Sequence, residues 1–155
     1  NPGANVFFPI VDTTARVFTK VWEMAAFAGF LSGREAARHM KKRNRGSIFF
    51  TGATASVRGG SGFAAFSSAK FALRSLSQSM ARELGPQGIH VAHFIIDGAI
   101  DTAFIKENFP DVYALKEKDG ILQPNAIADA YWFVHTQEKN AWTHELDLRP
   151  YMEKF

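Results

Sequence analysis

Apolar positions recur at helical spacing in three long segments of the chain. The first helix is predicted to begin after a cap at Thr13 or Thr14 and to end in the basic run Lys41-Lys42-Arg43. The second predicted helix spans Ala64–Leu84 and stops at Gly85-Pro86. The third opens at Pro124 and runs to His135. These helices are long enough to cover the faces of a sheet.

Between the helices lie short apolar runs that are typical of buried strands. The predicted strands are Ile48–Thr51, Ile89–Ile96 and a more exposed Glu145–Leu148. Gly52–Gly62 is predicted to be a loop, and Thr102–Lys118 a mixed, partly helical flap. Strands that alternate with long helices imply parallel pairing through right-handed crossovers. The predicted fold class is therefore α/β, the second half of a doubly wound, Rossmann-like parallel sheet with long flanking helices.

Composition narrows the class of protein. The 155 residues suffice for one domain, and 46% hydrophobic with 21% charged residues is ordinary for a globular chain. Cysteine is absent, which excludes disulfides, thiolate metal sites and cysteine nucleophiles. A net charge of +3 does not by itself indicate nucleic-acid binding. No apolar run reaches membrane-spanning length, so we expect a cytoplasmic protein that binds neither membrane nor nucleic acid.

One stretch carries a strong family pattern. GGSGFAAFSSAKFALRSLSQSMARELGPQGIHV resembles the active-site helix of the short-chain dehydrogenases/reductases, in which a tyrosine stands four residues before a lysine. Residues i and i+4 share one helix face, so both side chains can reach one ligand. The resemblance implies that the lysine, here Lys70, holds the cofactor ribose and that the tyrosine transfers a proton. The tyrosine position is Phe66, which has no hydroxyl.

Two further positions of the resembled catalytic set also lack their polar atom. The serine position falls on Ala53 and the asparagine position on Ala25. A nearby hydroxyl from Thr51, Thr54 or Ser56 could replace the serine, or these could be ordinary turn residues. The resemblance therefore implies a degenerate active site, inactive by the standard mechanism.

Lys70, Gly98 and Thr102 are the positions at which the resemblance implies contact with a dinucleotide. As an alternative, Lys70 could be a surface charge that extends into solvent. Asp97 stands where the family commonly has proline, and a carboxylate there would repel a pyrophosphate unless Asp97 and Asp101 accept backbone amides in a turn.

The chain opens on NPGAN, which resembles the Asn-Asn-Ala-Gly turn after the family's fourth strand. This resemblance places Asn1 and Gly3 among the cofactor-binding positions. It also predicts that residues 1–155 form a single partial Rossmann-like domain, without the N-terminal glycine-rich half. NAD or NADP is then expected as cofactor if that upstream half is present in the protein, and no cofactor otherwise.

The histidines and the basic cluster have simpler interpretations. His90 and His93 lie three apart on a strand and should face opposite sides, so a zinc site is not expected, although His93 could be an improvised base. The cluster 38–45 could contact phosphate, but it is better explained as a solvated helix end.

Three functional hypotheses remain open from the sequence. The first is a dehydrogenase relative that has lost standard catalysis. The second is an active NAD(P)-dependent oxidoreductase with another proton donor, for which the candidates are Thr54, Ser67, His93 and Tyr113. The third is a non-enzymatic scaffold. Small residues on both long helices and an uncovered apolar strand edge predict a homo-oligomer.

Overall fold

A computed structural model describes residues 5–154 of the chain. Its helices are α1 (Ala15–Trp22), α2 (Ala28–Lys41), α3 (Ala64–Leu84), α4 (Ala103–Asn108), α5 (Pro110–Tyr113) and α6 (Pro124–His135). Its strands are β1 (Gly46–Thr51), β2 (Ile89–Ile96) and β3 (Glu145–Leu148). The predicted flap becomes α4, α5 and a 3₁₀ turn, Ala114–Lys118.

The three strands form one parallel sheet in the order β1-β2-β3. Every residue of β2 is buried, as expected for a central strand with helices on both faces. Among residues 5–154, β1 pairs only with β2. The predicted α/β fold is confirmed.

Two apolar layers hold the sheet. One face packs against α2 and α3 through Ile48, Phe50, Leu73, Ile89 and Val91. The opposite face packs against α6 through Ala92, Phe94, Ile96 and Val134, with Phe49 and Tyr131 at the border. This alternation of side chains separates His90 from His93, which lie on opposite faces as predicted.

The first long helix is interrupted at one place that the periodicity did not predict. Thr14 caps it, because its hydroxyl accepts the Val17 amide at 3.2 Å. Between α1 and α2, residues Glu23–Phe27 form a π-helical turn, so the chain winds with one extra residue there. Ala25, the asparagine position, lies in the middle of this turn and is buried.

None of the helices within residues 5–154 is long and apolar enough to cross a membrane.

Candidate functional site

The site is built on the loop that follows β1. Residues Thr54–Ser56 form a 3₁₀ turn, and the Ser56 hydroxyl accepts the Ala53 amide at 3.0 Å. Ser56 is fully buried, so its hydroxyl supports the loop and cannot replace the missing serine. A Cβ atom on Gly52 would lie 2.3 Å from Nε2 of His93, which explains why this position carries glycine.

Thr51 contributes to the site through its backbone. Its hydroxyl lies on the α6 face and shares a 2.8 Å hydrogen bond with the Tyr131 hydroxyl. Its carbonyl accepts the ammonium of Lys70 at 2.9 Å. The Thr51 hydroxyl therefore does not replace the serine of the resembled motif.

Lys70 lies inside the molecule and not on its surface. Its side chain is only 8% exposed, and burial lowers the pKa of its ammonium below the usual value. One of the three ammonium protons is used by Thr51, so donors remain for a further acceptor. The interpretation of Lys70 as a surface charge is wrong, because α3 directs it toward the end of β1.

Phe66 stands one helical turn before Lys70 on the same face. The Lys70 ammonium lies 5.8 Å from the centre of the Phe66 ring. The ring packs beside the apolar cluster of Val21, Ala25, Ala65 and Ala69. Where the resembled family has a phenol, this chain offers only carbon.

Ala25 and Lys70 line the same cavity, of about 360 Å³, which runs beside β1 and under α2. Gly29 and Gly33 lie along this cavity, and a Cβ atom on Gly29 would come within 2.4 Å of Leu73. The three positions 25, 53 and 66 thus surround the end of β1, and none of them presents a polar side-chain atom.

A second cavity, of about 480 Å³, opens on the other side of the loop. Its walls are mostly apolar and include Ala53, Phe63, Phe66, Ile96 and Ile100. Thr51 and Thr54 also line it. The Thr51 hydroxyl is bonded to Tyr131 and Ser56 is fully buried, so Thr54 is the remaining candidate for the serine position.

Behind Thr54 lies a buried carboxylate. The Thr54 hydroxyl donates a hydrogen bond to Oδ1 of Asp97, which is 2% exposed. The guanidinium of Arg58 approaches the same Oδ1 at 3.5 Å. Asp101, by contrast, pairs with Lys116 at 2.8 Å. The partners of both aspartates are side chains, and the expectation of backbone amide partners is not met.

Gly98 and Thr102, two positions at which the resemblance implies cofactor contact, lie at this edge of the sheet. Gly98 follows β2 with a φ of +143°, a backbone conformation that favours glycine, and it borders the second cavity. Thr102 is exposed and caps α4 by accepting the Ile105 amide at 3.3 Å. Asn1 and Gly3 lie outside the described residues.

The other proposed donors do not reach the second cavity. His93 is fully buried beneath α3 and donates from Nδ1 to Glu145 at 3.0 Å, while Arg74 binds the same carboxylate through two contacts of 2.7 Å. Ser67 donates to the Phe63 carbonyl. Tyr113 lies between Lys106 and Lys116 on the flap. An improvised base at His93 is wrong, because that ring faces the protein interior.

Two groups in the buried network around His93 have shifted pKa values. Burial lowers the pKa of His93, although its hydrogen bond to Glu145 acts in the opposite direction. The hydrogen bonds from Arg74 lower the pKa of the Glu145 carboxyl. Among residues 5–154, no group of three or more His, Cys, Asp or Glu side chains is arranged to hold a metal ion.

Comparison with known proteins places this geometry in a family. The sequence model of the short chain dehydrogenase family matches residues 1–112. The chain belongs to this family. The Phe66–Lys70 helix, the loop after β1 and the carboxyl end of β2 all fall within the matched range.

Relatives of the chain share its fold across nearly its whole length. A crystal structure of a short-chain dehydrogenase from Rhodopseudomonas palustris is 56% identical with a TM-score of 0.78, and the alignment covers 97% of this chain and 60% of that one. NAD⁺-bound xylitol dehydrogenase is 21% identical with a TM-score of 0.83, covering 97% and 66%, and this likeness shows the fold alone.

A relative with lower sequence identity carries the same family name. The "(21S)-21-acetoxyl-apo-melianone synthase SDR" of Melia azedarach is 28% identical over 140 residues, which are 85% of this chain and 51% of that protein. The chain therefore spans about half the length of this relative.

Sequence reasoning missed two features of the site. The pairing of Thr54 with Asp97 joins residues 43 positions apart, and no local pattern signals it. The π-helical turn around Ala25 also left no trace in the apolar periodicity, because its buried positions stay close to helical spacing.

Proposed function

We propose that this chain is part of a short-chain dehydrogenase that binds NAD or NADP in the full-length protein and does not transfer protons through the family's serine, tyrosine and asparagine. The observation that carries this proposal is the contrast between Lys70, buried and held at the end of β1, and the carbon-only side chains at positions 25, 53 and 66. A phenylalanine ring has no proton to transfer at any pH.

The described residues fit the nicotinamide end of a dinucleotide. Lys70 retains free ammonium protons that can bind ribose hydroxyls. Gly98 and Thr102 stand at the carboxyl end of β2, where open parallel sheets bind their ligands. Asp97 is buried against Thr54 and Arg58, so it does not repel a pyrophosphate. When bound, the dinucleotide supplies hydride exchange, as the name of the NAD⁺-bound relative indicates for that protein.

Assembly is part of the same proposal. Trp22, Phe27 and Phe30 form an exposed aromatic ridge on the first long helix, with successive rings stacked at 6.5 and 6.1 Å. Each of these side chains is about two-fifths exposed. Contiguous apolar surface of this kind marks an association site, and we propose that a second copy of the chain covers it. The alternative contact is the edge of β1 that has no strand partner among residues 5–154.

Dinucleotide binding tests the proposed function. Calorimetric titration of the full-length protein with NADH and NADPH is expected to show binding of at least one of them. Lys70→Met should weaken it roughly 10-fold or more, since a hydrogen bond from a charged donor is lost. Lys20→Met, which removes an exposed lysine from α1, should leave binding unchanged.

Two results would contradict this proposal. Failure of the full-length protein to bind either dinucleotide would favour the non-enzymatic scaffold. Equal binding by wild type and Lys70→Met, with both folded by circular dichroism, would remove Lys70 from the cofactor site.

A further inference from the structure

We propose that Thr54 and Asp97 form a proton relay that replaces the missing tyrosine, acting on an apolar alcohol or carbonyl substrate in the second cavity. This inference rests on the proposed function, because the relay needs a dinucleotide as its redox partner. Thr54 is the catalytic residue, and Asp97 acts through it.

The relay follows from the order of groups at the cavity wall. Thr54 lines the cavity, and Asp97 lies behind it, out of reach of solvent. The Thr54 hydroxyl already donates its proton to Asp97 Oδ1, so its oxygen lone pairs are free to accept a proton from the cavity side. A hydroxyl held in this way passes a proton in either direction without moving.

Arg58 gives the carboxylate a nearby positive charge. Its guanidinium lies 3.5 Å from Asp97 Oδ1 and 3.8 Å from a Glu153 oxygen, and it donates to the Lys154 carbonyl at 3.1 Å. The cation partly offsets the negative charge that Asp97 brings into the protein interior. Because Oδ1 of Asp97 accepts the hydrogen bond of the Thr54 hydroxyl, a proton that arrives through Thr54 reaches this carboxylate.

Alcohol oxidation requires two coupled proton transfers and one hydride transfer. The substrate O–H bond breaks and its proton passes to the Thr54 oxygen, while the Thr54 proton passes to Asp97 and forms a carboxylic acid. A bound oxidised dinucleotide, with Lys70 at its ribose, would accept the hydride that leaves the same carbon, so that the carbon–oxygen bond becomes a carbonyl. Asp97 then returns its proton through Thr54 to water after the product leaves.

The cavity indicates the substrate class. Phe63, Phe66, Ile96 and Ile100 offer carbon surface to a ligand, and the polar residues of the wall include Thr54 and Arg58. Binding sites of this kind take a mostly apolar ligand and orient it through a few polar groups. An aryl alcohol such as 4-fluorobenzyl alcohol, with its aldehyde for the reverse reaction, is a suitable probe.

The test uses the full-length protein with four variants. Thr54→Val removes the hydroxyl at nearly constant volume, and Thr54→Ser retains it. Asp97→Asn removes the negative charge. Thr136→Val is the matched control, since it removes a hydroxyl whose hydrogen bonds lie at the exposed end of α6. Dinucleotide binding is measured first for every protein.

We expect Thr54→Val to lower kcat for 4-fluorobenzyl alcohol about 100-fold or more, the usual contribution of general acid–base catalysis. Thr54→Ser should stay within about 10-fold of wild type. Asp97→Asn should lower kcat by a similar factor while KM and dinucleotide binding stay at their wild-type values, a split that a purely structural role would not produce. Without dinucleotide, fluorine NMR titration of the alcohol should show about 5-fold weaker binding to Thr54→Val, since one hydrogen bond is lost.

The outcomes separate this inference from the proposed function. Wild-type protein that binds no dinucleotide refutes the proposed function itself. Wild type that binds dinucleotide but turns over neither probe overturns the relay. The relay is also overturned if Thr54→Val or Asp97→Asn binds dinucleotide and keeps the wild-type kcat.

Discussion

At the scale of single residues, the tautomer and the charge of the buried His93 imidazole depend on the groups around it. Its Nδ1 donates to Glu145, so Nε2 carries the lone pair, and Nε2 has no hydrogen-bond partner among the described residues. The ring faces Gly52, whose missing side chain makes room for it. The groups that act on its charge are Glu145, Arg74 and His144. Protonation would add a second charge beside Arg74 in a desolvated place.

This environment predicts a pH-dependent stability. Because burial lowers the pKa of His93 below 6.5 in the folded state, the unfolded chain binds more protons just below pH 6.5. The free energy of unfolding should therefore fall as pH drops from about 7 to 5, by up to about 1.4 kcal/mol per pH unit for one such group. Urea unfolding at several pH values should show that the free energy of unfolding of His93→Gln changes less steeply with pH than that of the wild type.

The control for this measurement is His39→Gln, because the His39 side chain is 67% exposed. It should reproduce the wild-type slope. Burial also lowers the pKa of His90, so some slope is expected to survive in His93→Gln. If the pH dependence of the free energy of unfolding were the same in His93→Gln and wild type, His93 would take up protons equally in the folded and unfolded states.

At the scale of elements, α3 connects the carboxyl end of β1 to the edge of the sheet. Phe66 and Lys70 face the end of β1, and Arg74, one turn later, binds Glu145 of β3 through two contacts of 2.7 Å. The spacing of four residues places all three on one side of the helix. A single helix therefore positions Lys70 at the end of β1 and binds the edge strand β3.

Removal of the α3–β3 connection should have a measurable cost. Arg74→Met is expected to lower the free energy of unfolding by about 1–2 kcal/mol, because a partly buried Glu145 loses a bidentate charged partner. Arg74→Lys should recover only part of this, since a lysine cannot form the fork. Denaturant titration measures both.

Arg38→Met is the matched control for this prediction. Arg38 pairs with Glu35 on an exposed helix surface, with a side chain 62% exposed, and such pairs contribute little. Equal destabilisation by Arg74→Met and Arg38→Met would show that the buried position of the Arg74–Glu145 pair gives it no advantage.

At the scale of the whole molecule, the question is what covers its exposed apolar surface. The aromatic ridge of Trp22, Phe27 and Phe30 continues onto Arg34, whose guanidinium lies 5.1 Å from the Phe30 ring centre. On the opposite side of the same helix, Ala25 and Ala26 are buried. The helix thus has apolar character on both sides, which is expected of a helix buried between two bodies.

The assembly proposal predicts that Phe27→Glu reduces the oligomer to a smaller species. Light scattering after size-exclusion chromatography of the full-length protein measures the mass. A charge in a desolvated contact opposes association. Phe104→Glu, on a flap residue 63% exposed, is the control and should leave the mass unchanged. An unchanged mass for Phe27→Glu would transfer the contact to the edge of β1.

Sequence alone determined the elements and the sheet. The helices at 64–84 and 124–135 and the strands at 89–96 and 145–148 follow from apolar periodicity and from glycine and proline stops, which act locally. The sequence also shows that Phe66 stands four residues before Lys70, a spacing that fixes a shared helix face.

Only the tertiary structure decided which side chains reach the site. Thr51, Thr54 and Ser56 were equivalent by sequence, yet one lies against Tyr131, one faces a cavity and one is buried beneath the loop. The partner of Thr54 is 43 residues away, and contacts across a sheet are set by strand register and not by neighbouring residues. The Thr54–Asp97 pair therefore becomes visible only when β1 and β2 lie side by side.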